Sequence, residues 1–261
     1  EISQDGQFKG LIYIYAEDKK GNISAVYRDD RISVVDSISP KINVSSSAPV
    51  SIFRDEIFFN KPVTVMIEVD EANFNEKDLK LKVTKNGKET GVSPVWKRSQ
   101  SGGYMGSFEI DEDGRYMISA SYTDRSGNSS GTFTSGVMVL DTEIEGAKLK
   151  ISGRPANGQS VNGDAVLSFV FYDENASSCS ASLKKISKTG TITDVSELLR
   201  EGMTYSENMI SCSTALPEKS KENDGIYFLE AVLCDRAGNS STEKAVFTIN
   251  RFGSEFEILS G

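Results

Sequence analysis

Histidine is absent from this 261-residue sequence, and cysteine is scarce. A Ser-His-Asp triad, a Cys-His pair and a His-ligated zinc site each require an imidazole, so all three are excluded. The three cysteines, Cys179, Cys212 and Cys234, lie in the last third of the chain, and an odd number cannot pair completely. Cys179 and Cys212 could form a bridge, but three pairings are possible and the sequence does not choose among them. Three buried free thiols are the alternative, because an unpaired cysteine behaves as a small hydrophobe.

Long apolar runs and clusters of basic charge are also missing. No run approaches the roughly 18 apolar residues of a membrane span, so we expect no membrane insertion in this segment. The formal net charge is −9, and the charges are spread without a run of one sign. Without a basic face, binding to nucleic acid or to an anionic membrane surface is not expected. The length suits two or three domains, and 13 Phe and 9 Tyr suffice for real cores.

An internal repeat is the clearest feature that is present. The stretch DRSGNSS (Asp124 to Ser130) has near-copies in DKKGNIS (Asp18 to Ser24) and DRAGNSS (Asp235 to Ser241). The leading aspartates are 106 and 111 residues apart, which matches a β-sandwich domain of about 100 residues. The sequence therefore predicts the end of a first repeat in 1–40 and a complete domain in 41–142.

The same period predicts a second complete domain in 143–252 and the start of a further repeat in 253–261. Other elements keep the phase. Asp-Gly-x-Tyr precedes an apolar strand in DGRYMISASYT and DGIYFLEAVLC, with a looser equivalent in Gly10 to Glu17. The strands VTVMIEVDEANF and AVLSFVFYDENA also match, with Asp70 and Asp173 as equivalents. We expect the chain to be a piece of a longer protein.

The chain is predicted to be all-β. In the stretch 63–69, apolar residues (Val63, Val65, Ile67, Val69) alternate with Thr64, Met66 and Glu68. This two-residue period is typical of a half-buried strand. Asn86-Gly87 predicts a hairpin, because a type I′ turn needs two positive φ angles. Short strands at this spacing, separated by Gly and Asn, are typical of a sandwich.

The repeated Asp-x-x-Gly-Asn motif is interpreted as a turn rather than a ligand site. Gly127 can adopt a left-handed conformation without steric cost, and Asn128 tolerates the same region. The Asp124 carboxylate can accept hydrogen bonds from the N–H groups of the turn it opens. A calcium site is the competing interpretation, since Asp and Asn oxygens are calcium ligands, but other ligands would have to come from a neighbouring loop or domain.

These motifs resemble the tandem immunoglobulin-like (Ig-like) β-sandwich domains of large bacterial cell-surface and secreted proteins. Asp-Gly-x-Tyr looks like their tyrosine corner, in which Tyr116 and Tyr227 would hydrogen-bond back to the chain. Asp-[Arg/Lys]-x-Gly-Asn-Ser at the end of that strand is similar to the same group. The resemblance implies Greek-key sandwiches of about seven strands each, an extracellular or cell-surface location, and neighbouring Ig-like domains as partners. The paired core cysteines of antibody domains are replaced, since Ile118 and Leu229 follow each Tyr by two positions.

Two sets of site candidates follow. The junctions between repeats carry acidic residues, which makes calcium the one cofactor to test; the metal candidates are Asp70, Asp124, Asp141, Asp173 and Asp235. Trp96 and Tyr104 form the candidate aromatic platform for a glycan, with burial in a sandwich core as the alternative. We expect no catalytic residues and no enzyme activity, because the sequence has no histidine and no assembled nucleophile. Adjacent acidic residues on a strand point to opposite faces, which argues against a glycosidase pair of carboxylates.

Three functions remain open on the sequence alone. The first is a non-catalytic stalk of a surface or secreted protein, serving adhesion or display. The second is an adhesin module that binds host protein or glycan. The third is an accessory region of a secreted carbohydrate-active enzyme.

Overall fold

A computed structural model describes residues 4–100, 102–144 and 146–252. Regular structure in these residues is almost entirely β, as the sequence predicts. The strands up to Leu140 are β1 (Gly6–Lys9), β2 (Ile12–Ile14), β3 (Tyr27–Asp29), β4 (Ile32–Val35), β5 (Lys41–Ser46), β6 (Ser51–Phe53), β7 (Glu56–Phe59), β8 (Val63–Asp70), β9 (Leu79–Lys85), β10 (Lys88–Thr90), β11 (Val95–Arg98), β12 (Tyr104–Ile110), β13 (Gly114–Thr123), β14 (Ser129–Thr134) and β15 (Val137–Leu140).

The later strands repeat the same order of long and short elements. They are β16 (Lys150–Ile151), β17 (Arg154–Pro155), β18 (Ser160–Val161), β19 (Val166–Tyr172), β20 (Ala176–Ile186), β21 (Ile192–Asp194), β22 (Met203–Tyr205), β23 (Met209–Ala215), β24 (Gly225–Asp235) and β25 (Ser240–Ile249). Within the described ranges, helical structure is limited to the 3-10 turns Glu76–Asp78 and Lys221–Asn223 and to helix α1 (Glu197–Arg200).

Strand β8 shows how the alternating pattern fixes the sandwich. Val63, Val65, Ile67 and Val69 are buried, while Thr64 and the other intervening residues remain more exposed. Apolar side chains at every second position cover one face of the strand, and their removal from water drives packing against a second sheet. The strand predicted from the sequence is therefore confirmed.

The Asn86-Gly87 hairpin is confirmed as well. It joins β9 to β10, with Lys85 opposite Lys88. Asn86 has φ 51° and Gly87 has φ 77°, the two positive angles that this turn requires.

The chain folds into two compact units, neither of which is one continuous segment. The first contains residues 1–47, 64–110 and 116–136; the second contains 48–63, 111–115 and the chain from 137 onward. The predicted limits 41–142 and 143–252 stay a prediction, and the predicted repeat start at 253–261 lies outside the described residues.

The first unit holds two larger sheets and two two-stranded sheets. One sheet has the order β11-β12-β8-β5, and in the other β13 pairs with both β9 and β14. The two-stranded sheets pair β1 with β4 and β2 with β3, each antiparallel. Ile14 of β2 is 59% exposed, whereas Ala231, its match in β24, is completely buried.

The second unit holds two five-stranded sheets, β17-β16-β19-β23-β22 and β18-β25-β24-β20-β21, together with β6, β7 and β15. The inward residues of the five-stranded sheets form one continuous core. Phe169, Phe171, Tyr227 and Phe247 are its largest members, each at most 1% exposed. Helix α1 contributes Leu199 to this core.

Candidate functional site

The Asp-x-x-Gly-Asn motif forms the same turn in all three copies. One oxygen of the aspartate accepts the backbone N–H of the asparagine four residues later at 2.8–2.9 Å. The other oxygen accepts the side-chain amide of that asparagine at 2.8 Å. Gly21, Gly127 and Gly238 have φ of 82°, 94° and 88°, in the left-handed region that favours glycine. The interpretation of the motif as a turn is confirmed.

In two of the copies the asparagine also holds a segment that connects repeats. The Asn128 amide donates to the backbone carbonyl of Asp36 at 2.9 Å. The Asn239 amide donates to the carbonyl of Asp141 at 2.8 Å. Both N–H groups of each amide therefore have an acceptor, one inside the turn and one in the chain that precedes its own repeat.

Three carboxylates lie close together where Asn239 contacts Asp141. Oxygens of Asp141, Asp173 and Asp235 all lie within 4.8 Å of one another. Asp235 is buried and the other two are half-buried. Asn175 supports the group from the start of β20, donating its side-chain amide to Asp141 at 2.5 Å and its backbone N–H to Asp173 at 2.7 Å. We call this group the 141 cluster.

The electrostatics of the 141 cluster are those of crowded like charges. Burial raises the pKa of Asp141 above its ordinary 3.8, and the hydrogen bond from Asn175 opposes that effect. The neighbouring carboxylates of Asp235 and Asp173 raise the pKa of Asp141 further. A cation among the three would relieve this repulsion.

A second cluster has the same composition. Oxygens of Asp36, Glu71 and Asp124 also lie within 4.8 Å of one another, and Glu71 and Asp124 are buried. Burial works against ionisation of Asp124, but hydrogen bonds from Asn128 and the turn amides lower its pKa overall. We call this group the 36 cluster. It repeats the 141 cluster, because each draws on a connecting segment, the end of a long strand and an Asp-x-x-Gly-Asn turn.

The spacing of the oxygens fits a calcium ion. Calcium is bound by six to eight oxygens at about 2.3–2.6 Å, so two oxygens of one shell are at most about 5 Å apart. The limit of 4.8 Å in both clusters satisfies that condition. Three carboxylates supply at least three ligands, and bidentate carboxylates, carbonyl groups and water would complete the shell.

Four of the five predicted metal candidates lie in these two clusters. Asp141, Asp173 and Asp235 share one cluster, and Asp124 lies in the other. Asp70 belongs to neither group among the described residues. It ends β8 on the exposed face, and the next residue, Glu71, turns inward and takes the place that Asp173 has in the later repeat.

A further aspartate holds the start of each connecting segment. In the Asp-Gly-x-Tyr motifs, the Thr142 N–H donates to Asp113 at 3.1 Å, and the Arg251 N–H donates to Asp224 at 3.2 Å. Asp224 is only 2% exposed. The motif thus fixes the chain that leaves its own repeat.

The first copy of this motif is missed by the sequence comparison. It begins at Asp5, ahead of the segment Gly10 to Glu17, and Asp5 accepts the Ser37 N–H at 3.0 Å. Gly6 has φ 155°, against 153° and 159° for the glycines of the other two copies. The first copy is two residues longer between Asp5 and Asp18, which hides the match.

The predicted tyrosine corner is present in the later repeat. The Tyr227 hydroxyl donates to the carbonyl of Asn223, four residues upstream, at 2.7 Å. Burial raises the pKa of Tyr227 to about 12. Tyr116 is buried at the matching position.

The two aromatic candidates lie in one cluster. The centroid of the Phe74 ring lies 4.6 Å from that of Trp96, 4.9 Å from that of Tyr104 and 5.3 Å from that of Tyr122. Trp96 is paired with Gly106 on the neighbouring strand. A Cβ atom added to Gly106 would come within 2.8 Å of the indole. Trp96 and Tyr104 are half-buried, so both rings are partly accessible to solvent.

The three cysteines are free thiols in this structure. Cys212 is buried and donates to the Leu199 carbonyl at 3.6 Å. Burial raises the pKa of Cys179 to about 11 and also raises that of Cys212.

These features define the class of the protein. The mainly antiparallel sheets, the in-phase turns and the Tyr227 corner make the chain a tandem array of Ig-like β-sandwich domains. Among the described residues, no helix has the length and apolar character to cross a membrane.

Comparisons with known proteins concern the fold. No protein-family model matches the sequence, and no curated protein matches it. Among solved structures, a tetra-tandem repeat from the extending region of a large adhesion protein is 17% identical, with TM-score 0.43, over 95% of this chain and 57% of that one. An I-band fragment of titin is 15% identical, with TM-score 0.39, over 82% of this chain and 66% of that one. The C-terminal domain of the Streptococcus agalactiae antigen I/II polypeptide BspA is 11% identical, with TM-score 0.30, over 80% and 99%.

Proposed function

We propose that this chain is a non-catalytic stalk segment of a bacterial cell-surface or secreted protein that serves adhesion or display. One observation carries the proposal: Asn128 and Asn239 each donate to the segment that precedes their own repeat, at Asp36 and Asp141. The repeated polar side chains are directed at the connections between repeats. The recurrence of these residues at the same position of successive repeats favours an array that holds its domains in place.

A binding screen tests the stalk function. The purified chain is presented at high concentration to glycan arrays and extracellular-matrix proteins, with a folded control protein of similar charge. A stalk gives no saturable binding while its thermal melt remains cooperative. Saturable binding that persists in moderate salt would contradict the stalk function and support the binding module below.

Calcium is the cation we propose for the 36 and 141 clusters, where it would stiffen the connections. Metal-free protein is titrated with CaCl₂ by calorimetry, and melts are compared in calcium and EDTA. A ligand at a hundredfold excess over its Kd stabilises the folded state by about 2.7 kcal/mol per site, so the melting temperature rises in calcium.

Single variants assign the calcium response to each cluster. Asp36→Asn removes a ligand of the 36 cluster, and Asp141→Asn removes one of the 141 cluster; each is expected to abolish one binding event. Asp164→Asn, at an exposed position outside both clusters, is the matched control. Identical melts in calcium and EDTA would rule calcium out.

A glycan- or protein-binding module is the second candidate. The partly exposed rings of Trp96 and Tyr104, which both contact Phe74, favour it. Stacking of a sugar requires an aromatic ring that solvent can reach. Loss of a binding signal in Trp96→Ala and Tyr104→Ala, with both variants folded, would establish the module.

A further inference from the structure

The third Asp-x-x-Gly-Asn turn does more than close a hairpin, because its central residue is completely buried. Ala237 is 0% exposed and packs with Phe58, Val137 and Val139. All four residues belong to the second compact unit. Phe58 lies in β7, and the two valines lie in β15, the strand parallel to it.

The same position in the other copies has a different character. It is Lys20 in the first turn and Ser126 in the second, and both are exposed. Only a small apolar side chain can be buried at such a turn without leaving a polar group unsatisfied. The sequence thus separates Ala237 from its two counterparts.

The backbone of this turn also approaches the partner segment closely. A Cβ atom on Gly238 would lie 2.8 Å from Cγ1 of Val50, whereas one on Gly127 would have nothing within 4 Å. The Ser51 hydroxyl donates to the carbonyl of Arg236 at 2.5 Å. The contact is therefore made by the main chain as well as by Ala237.

Arg236 closes the contact from the outside. Its guanidinium carbon is 4.4 Å from the ring centroid of Phe53, a cation–π distance. It also donates to the Glu207 carbonyl at 3.4 Å, while Arg54 forms a 3.1 Å ion pair with the Glu207 carboxylate.

We propose that the turn Asp235–Asn239 is a plug, seated in an apolar socket of Val50, Phe58, Val137 and Val139 and latched by Arg236 over Phe53. The plug joins residues 48–59 and 137–141 to the later repeat by packing, independently of any metal in the 141 cluster. Its biological purpose rests on the proposed stalk function. The plug adds to that function a second contact at the same connection, one that needs no metal.

Limited trypsin digestion of the whole chain tests the plug, because the motif supplies its own control. Trypsin cleaves after Arg125 in the second turn and after Arg236 in the third, and both are followed by a small residue. We expect cleavage after Arg125 to be at least severalfold faster, both in calcium and in EDTA. Equal rates, or exposure of Arg236 by EDTA alone, would overturn the proposal.

Ala237→Gln overfills the socket with a polar side chain and is expected to accelerate cleavage after Arg236 severalfold. Ser126→Gln, its match in the exposed turn, should leave cleavage after Arg125 unchanged. Val50→Ser serves if Ala237→Gln fails to fold, because Val50 lies outside the core of the later repeat. Unchanged cleavage in Val50→Ser would then contradict the plug. Saturable ligand binding in the earlier screen would defeat the stalk function without altering these rates, so the two failures are distinguishable.

Discussion

The side-chain amide of Asn239 donates to the backbone carbonyl of Asp141 at 2.8 Å, across 98 residues of sequence. Its other N–H is bound to Asp235, also at 2.8 Å. One side chain therefore closes its own turn and holds the connecting segment. No other residue type of this size offers two donors and an acceptor in one planar group.

The first prediction concerns this amide. Asn239→Ala should reduce the free energy of unfolding by about 1–3 kcal/mol, because two acceptors lose their donor in a partly buried place. Urea unfolding measures the change. Asn22→Ala is the matched control: its amide donates to Asp18 in a fully exposed turn, and the loss should be clearly smaller. Equal losses would show that the contact with Asp141 contributes nothing.

The second prediction concerns charge in the 141 cluster. The pKa of Asp141 is raised, so its contribution to stability is complete below the ordinary pKa of 3.8 and is lost as pH rises through the raised value. In EDTA at neutral pH, Asp141→Asn should therefore be more stable than the natural sequence. In calcium the order should reverse, since a ligand is missing.

Thermal melts at pH 7 in both buffers measure this crossover. Asp55→Asn, at an exposed position outside the cluster, should shift neither melt. A lower stability of Asp141→Asn in EDTA would show that repulsion among the carboxylates does not matter.

The third prediction concerns the tyrosine corner. Tyr227→Phe removes the hydroxyl that donates to Asn223 and should cost about 1 kcal/mol. The raised pKa of Tyr227 also means that stability is complete below pH 10 and falls as pH rises from 10 towards 12. Chemical denaturation across this range should show a shallower fall for Tyr227→Phe. Tyr172→Phe, at a residue that is 55% exposed, is the control and should keep the natural slope.

The fourth prediction concerns Trp96. Gly106→Ala would bring a Cβ atom within 2.8 Å of the indole and must displace it. Because Trp96 is the only tryptophan, its fluorescence emission should shift to longer wavelength as the ring moves into water. Overpacking of this kind costs about 1–3 kcal/mol. Gly91→Ala, with nothing within 4 Å, should leave the emission unchanged.

Much of the fold is accessible from local sequence, because its determinants are local. The alternation in β8 and the positive φ angles at Asn86-Gly87 depend on neighbouring residues. Tyr227 could also be assigned, since its acceptor is only four residues away. These features require no knowledge of distant partners.

The candidate site depends on strand register and on contacts between distant segments. Here the sequence alignment of the two repeats was wrong by one residue. That alignment equates Asp70, which is exposed, with Asp173, which points into the cluster. Matching the buried Val69 with the buried Phe171 instead pairs Glu71 with Asp173. A one-residue slip on a strand exchanges its faces, so the alternation already present in the sequence could have corrected the match. The plug had no such signal beyond the change from Ser126 to Ala237.

The parallel pairing of β7 with β15, and of β18 with β25, has a mechanical consequence. In each pair one strand belongs to the early part of a predicted repeat and the other to its end. Tension that draws the two ends of a repeat apart acts along both strands, in opposite directions. The hydrogen bonds between them are then strained in shear and must break together, whereas a hairpin pulled from its open end would unzip one bond at a time. We therefore expect these short ladders to carry the resistance of each repeat to stretching.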